Sequence, residues 1–174
     1  MRIGIFVFLS IFSIQSHAED ISLCQEGWEL TQSGNHKGAI ELLNKCLKTG
    51  KLSDSSLART YRNIGIAKKR DGQFEGAIES YNFALSLNPN DPWDDYVNRG
   101  NAWSELGEYE KAFANYDKAL ELKPNYNEAF YNRGIVFEKQ GLNQKAIEDF
   151  KKSYEYGLRS PELYDRFFAH GLIE

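Results

Sequence analysis

Histidine is scarce in this sequence, and with it the commonest metal ligand and general base. Three occur in 174 residues. Of these, His36 and His170 lie beyond the N-terminal segment, and neither has a Cys or His neighbour at metal-ligand spacing, so both are expected on the surface. There is no Gly-rich phosphate loop and no Ser nucleophile elbow. Carboxylate pairs such as Asp94 and Asp95 fall at a predicted helix start, where the helix dipole favours negative charge without any acid-base role. No active site, metal or cofactor is expected. A basic excess is lacking too: 21 Lys and Arg stand against 25 Asp and Glu, for a net charge of −4. Nonspecific nucleic-acid binding depends on a basic face and is not expected either.

Long apolar runs are equally absent. The stretch IGIFVFLSIFSI, residues 3–14, has twelve residues, whereas a spanning helix needs about 20. Met1 and Arg2 precede it, and QSHA follows, with small Ser16 and Ala18 where a signal peptidase reads. Residues 1–18 therefore read as a cleaved secretory signal rather than a buried helix, with Glu19 as the mature start and a periplasmic or secreted location. Loss of Arg2 leaves 20 basic and 25 acidic residues, net −5. A lipid anchor is not expected, because Glu19 and Asp20 intervene before Cys24 and Leu23 is not small. No later window is apolar enough to insert in a membrane after cleavage.

What the sequence has in quantity is repetition. YNFALSLNPN at 81–90 returns as YDKALELKPN at 116–125. Gly recurs at 27, 65, 100 and 134, and again at 34, 72, 107 and 141, while Ala recurs at 39, 77, 112 and 146. The spacings are 38, 35 and 34. Counted from Asp20, Ala58, Trp93 and Asn127, the fourth position holds Leu23, Tyr61, Tyr96 and Phe130, and the eighth is always Gly. The twenty-fourth holds Leu43, Tyr81, Tyr116 and Phe150, and the twenty-seventh holds Cys46, Ala84, Ala119 and Ser153. Pro stands at the thirty-second only as Pro89 and Pro124, and the first copy departs furthest, with Glu26 where Leu is usual.

This pattern resembles the tetratricopeptide repeat, a helix-turn-helix unit of about 34 residues. The resemblance implies an all-α fold: a right-handed superhelical solenoid of four repeats plus a C-terminal capping helix, nine helices without a sheet. Its divisions are 20–53 (divergent), 58–91, 93–126 and 127–160, with the cap at 161–174. Gly inside a helix costs about 1 kcal/mol relative to Ala, so the first Gly series needs a reason, and close contact with the Ala of the second helix is expected to supply it. The second series falls where a helix ends in a left-handed residue. Asp91 with Pro92, and Asn125 with Glu128, are expected to cap the helices opening copies three and four. Ser160 with Pro161 should open the last helix, with Leu163, Phe167 and Phe168 turned inward. KLSDSS, residues 51–56, is expected to be a flexible joint.

In the family the first helices line a concave surface, and the resemblance assigns to that groove Gln25 and Trp28, then Arg59, Arg62, Asn63, Ile66, Lys69 and Arg70. Asp94, Val97, Asn98, Asn101 and Glu105 follow from copy three, and Glu128, Tyr131, Asn132, Ile135 and Lys139 from copy four. Asn63, Asn98 and Asn132 share the sixth position, from which relatives hydrogen-bond an extended peptide, although Asn is also common there without that role. Arg59, Arg62, Lys69 and Arg70 form either a solvated face or a site for an acidic partner. A two-carboxylate clamp is not expected: only one of its five positions matches, and in the alternative frame Glu128 would repel a carboxylate.

Cys24 and Cys46, the only two cysteines, occupy the fifth and twenty-seventh positions of copy one. In an antiparallel helix pair these positions face one another, and an oxidising compartment would pair them. The other reading keeps Cys46 as a small core residue and Cys24 as a free thiol. Two functions fit the whole: a non-catalytic adaptor holding a protein or peptide segment in the groove, or a structural or self-associating subunit using its edges and outer face.

Overall fold

The computed structural model describes residues 23–50, 52–87 and 89–173. Residues 1–22, on which the signal segment and the start of copy one fall, lie outside them. Among the described residues there are nine helices and no strand. The chain divides into two compact units, one ending at Asn90 and the other beginning at Asp91.

The first unit holds α1 (23–32), α2 (His36–Lys48), α3 (Asp54–Arg70) and α4 (Phe74–Ser86). The second holds α5 (Pro92–Glu105), α6 (Tyr109–Leu122), α7 (Asn127–Lys139), α8 (Asn143–Glu155) and α9 (Pro161–Ala169). Within each copy the first helix turns back on the second through a short link at which Gly34, Gly72, Gly107 or Gly141 adopts positive φ. At Gly72 φ is +79°, a conformation that costs an L side chain and not glycine.

The Gly series within the first helices has a different partner from the one expected. A Cβ on Gly65 would lie 2.6 Å from the Tyr81 ring, on Gly100 2.8 Å from the Tyr116 ring, on Gly134 2.7 Å from Phe150, and on Gly27 2.7 Å from Leu43. The glycine makes room for the large residue at position twenty-four, and the Ala at position twenty is not among its nearest neighbours. Ala39, Ala77, Ala112 and Ala146 are nevertheless fully buried. A large side chain against glycine, a ring in three pairs and Leu43 in the first, is the packing that sets the distance between paired helices.

Three further expectations are corrected. KLSDSS is not a joint along its length: Ser53 caps α3, its hydroxyl accepting from the Ser56 N–H at 3.3 Å, and Asp54, Ser55 and Ser56 form the first turn. The cap of α7 is Tyr126 and not Asn125. Ser160 does cap α9, accepting from Leu163 N–H at 3.3 Å, and Leu163 and Phe167 are buried, but Phe168 is 69 % exposed. Residues 163 and 167 share a helix face, and residue 168 lies about 100° round from 167.

Candidate partner-binding cleft

In the first unit, α1 and α3 enclose a cleft of about 390 Å³. Its α1 wall carries Cys24, Gln25 and Trp28, and its α3 wall carries Ser56, Arg59, Thr60, Arg62, Asn63 and Ile66, with Leu52 at one edge. Residues 59, 62, 63 and 66 line up because a helix returns to the same face every three or four residues. Arg59 is exposed, while Arg62, Asn63, Ile66 and Trp28 are half-buried. The cleft thus combines guanidinium groups, amide groups and an apolar floor of Trp28 and Ile66, within the volume range of ligand sites.

A covalent bond fixes the α1 wall. Cys24 and Cys46 form a disulfide with Cα atoms 5.4 Å apart, joining α1 to α2. Cys46 is fully buried, and the Thr60 hydroxyl lies 3.7 Å from the Cys24 sulfur as well as 2.8 Å from the Ser56 carbonyl to which it donates. Arg70 is occupied elsewhere than the groove: its Nη1 donates to the Thr31 carbonyl at 3.0 Å, holding the C-terminal turn of α1 against α3. Lys69 is half-buried further along α3 and does not line the cleft.

The other groove candidates lie in the second unit, where several serve the fold. Val97 is buried in one cluster with Tyr116, Ala129 and Val136 and does not face a groove. The Asn101 oxygen accepts from the Tyr116 hydroxyl at 2.7 Å, and burial pushes that phenol well above its ordinary range. Asn98 and Asn132 each spend an amide N–H on the carbonyl four residues back, Asp94 at 2.9 Å and Glu128 at 2.8 Å. Tyr131 and Ile135 pack against the cluster of Phe150, Leu163 and Phe167, with the Tyr131 ring 5.9 Å from that of Phe150. Burial raises the Tyr131 phenol, and Arg166 works against that shift. Lys139 pairs with Glu105 at 3.3 Å. His170 is not a surface residue: its side chain is 14 % exposed and its Nε2 lies 2.7 Å from Glu138 Oε1.

Two signals could have found what sequence reasoning missed. Ser53 followed by Ser56 is a cap-and-first-turn pattern, which would have extended α3 to bring Ser56 into the cleft wall. Tyr126, as the residue before α7, carries its hydroxyl to Asp94 Oδ1 at 2.6 Å and Glu128 Oε2 at 2.9 Å. Burial, followed by the hydrogen bond to Asp94, drives this phenol far above its usual range, so it remains a donor between two carboxylates.

Paired helices at a period near 34 residues, each pair closed over a glycine, define a helical-repeat protein. The repeat is identified by family models. One described as TPR repeat matches residues 100–141, and one described as Tetratricopeptide repeat matches 58–91 and 128–156. Together they span just over half of the chain, which belongs to the tetratricopeptide-repeat family. No curated protein matches. Among solved structures, MamA is 28% identical at a TM-score of 0.67, over 79% of this chain and 77% of that one. A tetratricopeptide repeat protein from Parabacteroides merdae is 27% identical at 0.68, over 87% and 57%. PilF of Pseudomonas aeruginosa, 22% identical at 0.72 over 91% and 72%, shares the fold. Repeats of this kind bind protein partners through their extended surfaces.

Proposed function

We propose that this protein is a non-catalytic adaptor that holds an extended segment of a protein partner in the cleft between α1 and α3. The observation that carries the reading is the cleft itself, where Gln25, Trp28, Arg59, Arg62, Asn63 and Ile66 meet. An extended backbone offers amide groups to Asn63 and Gln25, an apolar side chain fits Trp28 and Ile66, and acidic side chains suit Arg59 and Arg62. The preferred partner segment is therefore acidic with an apolar anchor. Nucleic acid is disfavoured by the net charge of −4, and no described helix is long and apolar enough to cross a membrane. Residues 1–18 act as an export signal cleaved after Ala18, taking the adaptor to the periplasm or outside the cell, where the disulfide that fixes α1 persists.

The test is capture from an envelope extract on immobilised protein, with the wild-type chain beside Trp28→Ala and Asn63→Ala. Retention of a protein by the wild type and its loss with either substitution supports the reading. Retention unaffected by both removes the cleft from it.

A further inference from the structure

The disulfide is part of the cleft wall as well as of the fold. Cys46 is fully buried, whereas Cys24 is half-buried and lines the cleft beside Gln25 and Trp28. The Cys24 sulfur faces α3, 3.7 Å from the Thr60 hydroxyl on the opposite wall. Thiol–disulfide exchange begins with a thiolate attacking a sulfur it can reach, so for this bond the point of attack is Cys24, from inside the cleft.

Cys24 is also one of two pins on α1. Near the other end of that helix Arg70 Nη1 donates to the Thr31 carbonyl, and between the two pins Leu43 packs against Gly27. Gln25 and Trp28, the partner-facing residues of this wall, lie between the pins. Opening the bond leaves the last turn of α1 held by Arg70 and unties the first turn. The α3 wall, packed between α2 and α4, keeps its support. Local opening of this kind follows where few tethers hold a segment.

We propose that the Cys24–Cys46 disulfide is a redox switch of the cleft: a dithiol that enters it attacks Cys24, and opening the bond loosens the α1 wall and weakens partner binding. The proposal rests on the reading of the cleft as a partner-binding site. The attacking thiolate forms a mixed disulfide with the Cys24 sulfur while the bond to Cys46 breaks, and Cys46 leaves with that electron pair and takes up a proton. The second thiol of the reductant then displaces Cys24. The dithiol ends as a disulfide, and its two electrons and two protons end on the two cysteines. A segment seated in the cleft covers Cys24, and the linkage is reciprocal: the factor by which reduction weakens the partner is the factor by which the partner opposes reduction.

Three measurements on the purified chain test it. Brief exposure of the native protein to glutathione, with N-ethylmaleimide as trap, should leave glutathione on Cys24 and maleimide on Cys46 by mass spectrometry. The reverse pattern, or a bond that opens only on global unfolding, overturns the proposal. Hydrogen exchange of the chain reduced with dithiothreitol should quicken about tenfold or more in the first turns of α1, and by less in α3. Protection kept in α1, or lost equally across α3 and α4, overturns it too. For binding, the probe is a fluorescent synthetic peptide of Glu and Asp around one Leu, read by anisotropy. It should bind the oxidised chain, lose affinity with Trp28→Ala, and bind about tenfold more weakly both to the reduced chain and to Cys24→Ser with Cys46→Ser. Equal affinity in the oxidised and reduced states overturns the switch alone. No binding to the oxidised chain overturns the adaptor reading, and the switch with it.

Discussion

Arg133 on α7 and Asp149 on α8 form a two-point ion pair, Nε to Oδ2 at 2.7 Å and Nη2 to Oδ1 at 2.9 Å. One repeat earlier the same two positions hold Arg99 and Asn115, joined by a single bond of 2.8 Å from Nε to the amide oxygen. The electrostatics follow the chemistry. Burial opposes the charge on both arginines and lowers Arg99, whereas for Arg133 the hydrogen bonds and charges of Asp149 and Asp117 outweigh it and hold the guanidinium above its ordinary value. The Arg133 and Asp149 side chains are 18 % and 4 % exposed, so neither partner is well hydrated once alone. Asp149→Ala is expected to cost about 3 kcal/mol, the lower end for breaking a buried pair because Asp117 still contacts Arg133. Asn115→Ala, which removes a neutral acceptor and the amide's bond to the Lys111 carbonyl, should cost about 1–2 kcal/mol. Urea unfolding of both variants checks the order, and equal losses would show that charge is not what distinguishes the sites.

The glycine-to-ring contact gives a second prediction. Gly65→Ala gains about 1 kcal/mol of helix propensity but drives a methyl into the Tyr81 ring at 2.6 Å, and overpacking of this kind costs about 1–3 kcal/mol. A net loss is expected, and it should shrink in a chain that also carries Tyr81→Leu. Gly72→Ala meets no atom within 4 Å, so its loss, from backbone strain alone, should not respond to Tyr81→Leu. Thermal melts of the five variants, the two glycine substitutions, Tyr81→Leu and the two doubles, separate the two causes.

The same contact explains how much of the fold could be read from the sequence. Gly at position eight and a large residue at position twenty-four are two ends of one packing event, so their joint recurrence marks paired helices without any coordinates. Helix register carries no such information about what lies across a face. Val97 occupies a groove position by count, yet it is buried in the cluster that includes Ala129 and Val136 of α7. Arg70 likewise belongs to the concave series, but the Thr31 carbonyl in the last turn of α1 claims its guanidinium. Phe168 differs for the opposite reason: an apolar residue beside Phe167 looks like core, but one residue on is about 100° round the helix, and that face is exposed. Arg59, Arg62, Asn63 and Trp28 could be placed side by side from the sequence because both walls of the cleft are helix faces, whereas Leu52, on the link before α3, could not.

The disulfide supplies a third prediction. Cys24 lies near the beginning of α1 and Cys46 near the end of α2, a separation of 22 residues. Closing a loop of this size stabilises by about 3 kcal/mol in the chain-entropy account. Titration of the denatured, unreduced protein should find no free thiol, and Cys24→Ser with Cys46→Ser should lower stability by about that amount. Hydrogen exchange then locates the loss, and α1 should lose protection before α3. Two free thiols in freshly purified protein would end the prediction.

The last prediction concerns the charge of the cleft. Arg59 stands exposed at the mouth and Arg62 half-buried on the same wall, three residues further along α3. An exposed cation acts over a distance set by ionic strength, about 8 Å at physiological salt, and so affects chiefly how fast an acidic partner arrives. A cation within the cleft acts on the bound state, where water is partly excluded and its partner cannot be replaced by solvent. Arg59→Glu should therefore slow association with little change in dissociation, and raising the salt concentration should reproduce much of that effect in the wild type. Arg62→Glu should speed dissociation as well, and salt should mimic it poorly. Trp28→Ala should accelerate dissociation without altering the salt dependence, because it removes apolar contact and no charge. Surface plasmon resonance with a captured acidic partner segment reads all three. Rates indifferent to both arginine reversals and to salt would leave the cleft as an apolar and amide site, with Trp28 and Asn63 carrying recognition alone.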